Sequence, residues 1–462
     1  MMIRYPAIMT AILSMSSSVF LHGKDEVGLA EKAAKRAWEN VPAEKQALWQ
    51  QHRKTRFGTT IWGRNCTGQP HWLDGSRYPG LDGQSRLDRM LYVPLDPDGK
   101  PAATTSDPDK LKNGTYDCAL LSYWHDQVRQ MREGGLDWVA IDSFGDRHDH
   151  EDPTAAVDPR QSKYIIPSLV KAIRDTGVPL KICMFDDSPS HTLYHYRYEL
   201  LREKYPGKEE NGRAPWLKYR FDHKGEPVVP LPVNETFGRD YLAAKWIGDF
   251  EHMAEDQDLW LTHNGAAPVD GGHPIILMYG TNASWTDKQT YANFHIAFAV
   301  AKKTFAQRFG VEPFLILDMV YFKLDPDVAQ VADGNWAWAP VAPKVVRPRK
   351  LTHTNLETGL ECIFAMVMPG FELKNKVLRH TADRRRWMAI DGSEGDEKHL
   401  LTTEFNLVMA DPRPDLVLVG HWNDFEEGQN FGRAIYPTKS GKGILPPDYY
   451  LDALRNLIEN SQ

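Results

Sequence analysis

Short apolar runs of four to six residues, separated by stretches with helical spacing, recur along this chain and leave few folds open to it. They are Trp138–Ile141, Leu180–Phe185, Ile275–Met278, Phe314–Leu317, Cys362–Val367 and Leu416–Val419, with Thr59–Arg64 as a candidate first strand and Asp333–Trp338 as a short sixth. Helical spacing falls at Leu120–Glu133, Ser168–Asp175, Tyr291–Gln307 and Tyr449–Asn460, and a long helical and polar segment runs through Tyr194–Lys204 and Arg239–Glu255. Gly134-Gly135 and Gly177 follow two of these helices as C-terminal stops. Apolar strands alternating with amphipathic helices predict a parallel α/β sheet. About eight strands favour closure into a (β/α)8 TIM barrel over an open doubly wound sheet. No Gly-rich strand-to-helix fingerprint for a dinucleotide is present.

Composition fits one large barrel with long βα loops. The chain has 462 residues, 42% of them apolar, and a net charge of −7 with no basic run to suggest nucleic acid. Three segments are expected. Residues 1–23 read as a signal peptide, because Arg4 precedes the apolar stretch Ala7–Leu21, which is too short to span a membrane. Residues 24–57 read as an N-terminal helical arm, with Leu29, Ala33, Ala37 and Trp38 at helical spacing, and residues 58–462 as the barrel. The expected location is therefore secreted or periplasmic, with no membrane span in the mature chain. Of four cysteines, Cys183 and Cys362 lie in apolar runs and are expected as buried thiols. Cys66 and Cys118 flank a Gly/Pro/Asp-rich insertion, and export would permit their pairing without establishing it.

Several runs end in an acid: Asp142, Asp186 with Asp187, Asp318 and, just past the last run, Asp424. In a barrel the strand ends converge on one rim. Carboxylates there accept hydrogen bonds from sugar hydroxyls, and aromatic faces such as Tyr279 and Trp336 cover sugar C–H surface. A strand-end Asp is also an ordinary turn former and N-cap. After the last run comes His421-Trp422-Asn423-Asp424-Phe425-Glu426-Glu427-Gly428. If the chain turns helically there, Asp424 and Glu427 share a face. Glycosidic cleavage needs a proton donor for the leaving oxygen and a second group acting as base or nucleophile. Read alone, the Asp-x-x-Glu spacing equally describes an N-cap with its capping-box partner.

Trp422–Gly428 resembles the Trp-Asn-Glu-Trp-x-Glu-Gly motif of glycoside hydrolase family 99, the endo-α-mannosidase and endo-α-mannanase group. It is also similar to the Trp-Asn-Asp-Tyr-x-Glu motif of family 71, the α-1,3-glucanases. Fainter likeness lies in Trp62 with His71-Trp72, and in Gly134-Gly135 leading into Leu136–Ser143. The resemblance implies a (β/α)8 barrel that cleaves an α-linked oligo- or polysaccharide, with Asp424 and Glu427 as the acid/base pair and no cofactor. The expected substrate cleft joins Trp62, His71, Trp72, Trp422 and Asn423, which carry the resemblance, with the strand-end acids Asp142, Asp186, Asp187 and Asp318 and the aromatics Tyr279 and Trp336. In family 99 the first acid acts as base on the substrate's 2-hydroxyl and the second as acid/base at the glycosidic oxygen. Here the first acid is Asp, one methylene shorter, so an inverting route through an activated water stays open.

Two other readings carry weight. His148-Asp149-His150-Glu151-Asp152, with Asp186 and Asp187, is a set of donors for a metal-dependent hydrolase, although a solvated loop explains the same residues. A non-catalytic carbohydrate-binding barrel would use the same aromatics and acids.

Overall fold

A computed structural model describes residues 55–62, 93–94, 121–142, 162–186, 230–280, 286–338, 349–356, 358–370, 398–423, 430–437 and 444–461. The strands are β1 (Arg56–Trp62), β2 (Val93–Pro94), β3 (Trp138–Asp142), β4 (Lys181–Asp186), β5 (Ile275–Met278), β6 (Phe314–Asp318), β7 (Gly334–Trp336), β8 (Arg349–Thr354), β9 (Glu361–Val367), β10 (Leu416–His421), β11 (Ala434–Pro437) and β12 (Ile444–Leu445). The helices are α1 (Leu121–Glu133), α2 (Ser162–Thr176), α3 (Ala244–Glu251), α4 (Phe294–Phe309), α5 (Met319–Leu324), α6 (His399–Met409) and α7 (Tyr449–Ser461).

Nine strands form one sheet in the order β7-β6-β5-β4-β3-β1-β10-β9-β8, parallel throughout except for the antiparallel pair β8/β9. The two ends of the sheet meet. Asn355, just past β8, donates to Ala332 O (3.0 Å) and to Asp333 Oδ1 (2.7 Å), and His353 sits 3.0 Å from Ala332 O. Asp333 also accepts from Lys302 Nζ and Leu315 N, both at 2.8 Å. Side chains rather than a backbone ladder thus finish a nearly closed (β/α) barrel. β8 itself is unexpected from the sequence. Its mixed Arg-Lys-Leu-Thr-His-Thr pattern has no apolar run, because it lies on one edge of the sheet and pairs with a single neighbour.

Period-two alternation divides the strand residues into two cores. Val139, Ile141, Ile182, Met184, Ile276, Leu315, Val417 and Val419 pack outward against the helices. Trp138, Ala140, Cys183, Phe185, Leu277, Ile316, Cys362, Phe364 and Leu418 fill the barrel interior. Cys183 and Cys362 are buried thiols, as expected, and burial pushes the Cys183 thiol far above the usual range. Gly58 is required where it stands: a Cβ there would lie 1.9 Å from the Trp138 indole, which occupies the space that β1 leaves.

Helix boundaries differ from the sequence reading at α2, which begins six residues before Ser168. Pro167 interrupts one turn of its hydrogen bonding, but Ile165 and Ile166, both buried, draw that turn onto the sheet. Before α3, a π-helical segment, Gly238–Ala243, lies so close to α4 that a Cβ on Gly238 would fall 2.2 Å from Ala297 O. α5 and α6 are also unexpected, short helices whose apolar spacing is too brief to read. Among the described residues no helix is long and apolar enough to cross a membrane. The proposed signal peptide and most of the helical arm lie outside the described residues, as do Cys66 and Cys118.

Candidate functional site at the C-terminal rim

The parallel strands deliver their C-terminal ends to one rim, where alternation decides which side chains face the interior. On β3, Trp138 and Ala140 point inward, which puts Asp142 inward too, with 2% of its surface exposed. On β6, Phe314 and Ile316 do the same for Asp318. Asp318 Oδ1 accepts from Val320 N at 3.0 Å, capping α5, and Oδ2 lies 3.5 Å from Gly280 N. Burial raises its carboxyl to about 6, against the pull of those two backbone bonds. A carboxyl with that value exchanges a proton near neutral pH.

Aromatic rings cover the interior between these acids. Phe185 and Trp336 are buried, with centroids 5.6 Å apart, and Trp336 Nε1 donates to Met278 O at 3.0 Å. Above them Tyr279 and Trp338 are half-buried, 4.9 Å apart. Trp336, expected as a sugar platform, is 1% exposed and forms the floor. Tyr279 and Trp338 present the accessible ring surface.

Asp186, expected beside Asp142, stands on the opposite face of β4. Phe185 takes the interior position, so Asp186 faces the helices. There Trp246 Nε1 donates to Oδ2 at 2.5 Å, and Lys245 Nζ lies 3.5 Å from Oδ1. Lys245 also donates to Asp249 at 2.7 Å, and Ser162 Oγ donates to the other oxygen of Asp249. Burial alone would lower the Lys245 ammonium, but the charges of Asp186 and Asp249 outweigh it and hold the group above the ordinary lysine range. This cluster ties β4 to α2 and α3.

The segment around the motif departs from simple alternation. Thr59 pairs with Val419 and Thr60 with His421, so Gly420 is an extra residue, a β-bulge in a parallel pair. Leu416 and Leu418 are interior, and unbroken alternation would turn Trp422 inward and His421 outward. The bulge reverses this. His421 lies 4.7 Å from Trp338 and 2.5 Å, through Nδ1, from Thr60 Oγ1. Trp422 packs into the helix-side core and donates its indole N–H to Gln127 Oε1 at 2.7 Å. Trp422, expected to line the cleft, therefore buttresses it from behind. Thr60 and His421 are the residues that sequence reasoning missed: Thr60 faces inward by the alternation of β1, and His421 only through the register of β10 against it. Asn423 is buried.

Asp424 and Glu427 lie outside the described residues, as do His71, Trp72, Asp187 and the His148–Asp152 cluster. For Trp62 the backbone alone is described, paired with Asp142 at the end of β1. Among the described residues, His295, Asp325 and Asp327 bring possible metal-ligand atoms within 4.8 Å of one another. Asp325 is committed to capping: its oxygens accept from His295 N (2.8 Å) and Asp327 N (3.1 Å), and His295 Nδ1 lies 2.8 Å from it.

No curated protein sequence matches the chain. Solved structures do. A GH99 endo-α-mannosidase from Bacteroides thetaiotaomicron, in complex with BIS-TRIS-propane, aligns with a TM-score of 0.45 and 11% identity, covering 88% of this chain and 97% of that one. A second structure of a GH99 endo-α-mannosidase from that organism gives a TM-score of 0.43 with the same identity and coverage. A glycoside hydrolase-like protein gives 0.43 and 11%, covering 88% of this chain and 94% of that one. The family model described as "Domain of unknown function (DUF5010)" matches residues 115–460, most of the chain, and the chain belongs to that family.

Proposed function

We propose that this chain is a glycoside hydrolase that cleaves an α-linked glycan, with Asp424 and Glu427 as its acid/base pair. The observation that carries the reading is the Trp-Asn-Asp-x-x-Glu-Gly motif directly after β10, the last parallel strand of a barrel whose rim turns Asp142, Asp318, Tyr279 and Trp338 inward. Glu427 serves as the proton donor to the glycosidic oxygen. Asp424 serves as the base, on either the substrate's 2-hydroxyl or a water. Tyr279 and Trp338 stack on sugar rings, and Asp142 and Asp318 accept hydroxyl hydrogen bonds, with Trp62, His71, Trp72, Asp187 and Asn423 completing the cleft. The protein acts outside the cytoplasm once the segment 1–23 is removed.

A panel of α-mannans and α-glucans, assayed with and without chelator, tests this. Wild type is expected to turn over at least one substrate with chelator present. Asp424→Asn and Glu427→Gln are each expected to lose at least about 100-fold in kcat, the order of a general acid–base contribution. Full activity in Glu427→Gln would overturn the assignment, and loss of wild-type activity on chelation would favour the metal-dependent alternative.

A further inference from the structure

The two ends of the sheet meet along a seam with no backbone ladder among the described residues, and side chains cross it at both of its ends. At the N-terminal end Asn355, past β8, donates to Asp333 Oδ1, just before β7 (2.7 Å). At the rim the contact is between rings. His421 ends β10, and its ring centroid lies 4.7 Å from that of Trp338, two residues past β7, at an interplanar angle of 44°.

Trp338 depends on such a contact. It stands beyond the ladder that ties β7 to β6 at Gly334, Asn335 and Trp336. Trp336 is anchored by its own indole N–H, which donates to Met278 O at 3.0 Å. The described contacts of Trp338 are with rings: Tyr279 at 4.9 Å, Trp336 at 5.9 Å and Phe185 at 6.0 Å, all on the β4–β7 side of the seam, and His421 on the other side. Ring contacts are favourable over a range of angles. Three from one side leave the indole room to tilt away, and the fourth, from across the seam, closes that room.

His421 is itself fixed. The bulge at Gly420 turns it inward, and its Nδ1 lies 2.5 Å from Thr60 Oγ1, with both residues fully buried. Thr60 is a stiff anchor. Its β-branched side chain has few rotamers, and its carbonyl accepts from Trp422 N at 2.8 Å, which ties β1 to the residue after His421. A hydrogen bond is directional, so Thr60 sets the plane of the imidazole and the face it turns to Trp338.

We infer that Thr60 and His421 are positioning residues that hold Trp338 in place as the sugar-stacking surface of the cleft. The binding part of this inference rests on the glycan-cleaving reading, and the anchoring of Trp338 does not. A stacking surface grips the ground state and the transition state alike, so its placement acts on KM and leaves kcat alone.

The test uses Thr60→Val, which keeps the shape and removes the hydroxyl, Thr60→Ser, which keeps the hydroxyl, and His421→Leu, which removes the ring. The full chain is labelled with 5-fluorotryptophan. It has 14 tryptophans, so the Trp338 fluorine resonance is assigned by its loss in Trp338→Phe. Thr60→Val and His421→Leu are each expected to shift or broaden that resonance, while those of Trp246 and Trp260, in the helix-side core, stay where they are. On the best substrate of the glycan panel, Thr60→Val should raise KM about 2- to 10-fold, the worth of one aromatic contact, with kcat within about twofold. Thr60→Ser should restore both readouts. Thr60→Val and His421→Leu should not add in the double variant. An unchanged Trp338 resonance in both single variants would overturn the anchoring, whether or not the chain is a glycosidase. A moved resonance with unchanged KM, or a fall in kcat without a rise in KM, would overturn the role in binding. Absence of wild-type turnover on every glycan would overturn the hydrolase reading and the binding role with it, and the resonance would still decide the anchoring.

Discussion

The ends of β4 and β6 each carry a buried aspartate, and the two carboxylates sit in opposite electrostatic settings. Asp186 faces the helices, takes the Trp246 indole N–H and lies beside the Lys245 ammonium. Asp318 faces the barrel interior, is held by backbone N–H groups, and has its carboxyl raised to about 6 by burial. The first is a structural charge whose partner is a cation. The second is a carboxyl that can hold or release a proton near neutral pH. The two differ in parity along the strand: Phe185 takes the last interior position of β4, whereas on β6 that position belongs to the aspartate itself. An acid at the end of a barrel strand is thus a site candidate only when the alternation carries it inward.

Three measurements would break or sharpen this contrast. The largest effect is expected from Lys245→Met, which leaves Asp186 and Asp249 buried without their shared cation. A loss of about 3–5 kcal/mol in urea unfolding at pH 7 is expected, and a loss below about 1 kcal/mol would mean that the cluster does not hold β4 to α2 and α3. Next is Asp318→Asn, compared with wild type across pH. Because the folded carboxyl titrates near 6 and the unfolded one near 4, this group favours the fold fully at pH below about 4, and that advantage is lost as pH rises through about 6. Relative to wild type, Asp318→Asn should therefore gain stability between about pH 4 and pH 6, by about 3 kcal/mol at most, at about 1.4 kcal/mol per pKa unit. Asparagine can still cap α5, so the cap does not confound the comparison. A flat difference across that window would place the two aspartates in the same class. The smallest effect is expected from Trp246→Phe, which removes one neutral donor from Asp186 and should cost about 1–3 kcal/mol by thermal or urea unfolding.

Six of the eight parallel strands were legible as apolar runs, because strands buried on both faces carry apolar side chains at nearly every position, while β1 and β7 were placed by the candidate segments Thr59–Arg64 and Asp333–Trp338. β8 was not, since an edge strand paired on one side needs no such run. The early start of α2 was hidden by Pro167, whose local cost is overridden by burying Ile165 and Ile166. In the candidate site, Asp142, Tyr279 and Asp318 could be found by noting what ends each strand. Asp186 was named by the same rule, Trp336 as a sugar platform and Trp422 from the motif, and the structure puts them behind or beneath the rim. Thr60 and His421 carried no signal of their own.

What the sequence by itself determined is the barrel and the motif after its last strand, because burial patterns and residue identity are local properties of the chain. What only the tertiary structure decided is which side of the barrel wall each rim residue occupies. The clearest case is Gly420. One extra residue opposite β1 turns His421 toward Trp338 and sends Trp422 back to Gln127. The reason is physical. Side chains alternate with a period of two, so a single-residue slip between paired strands inverts everything beyond it, and register is a property of two strands at once.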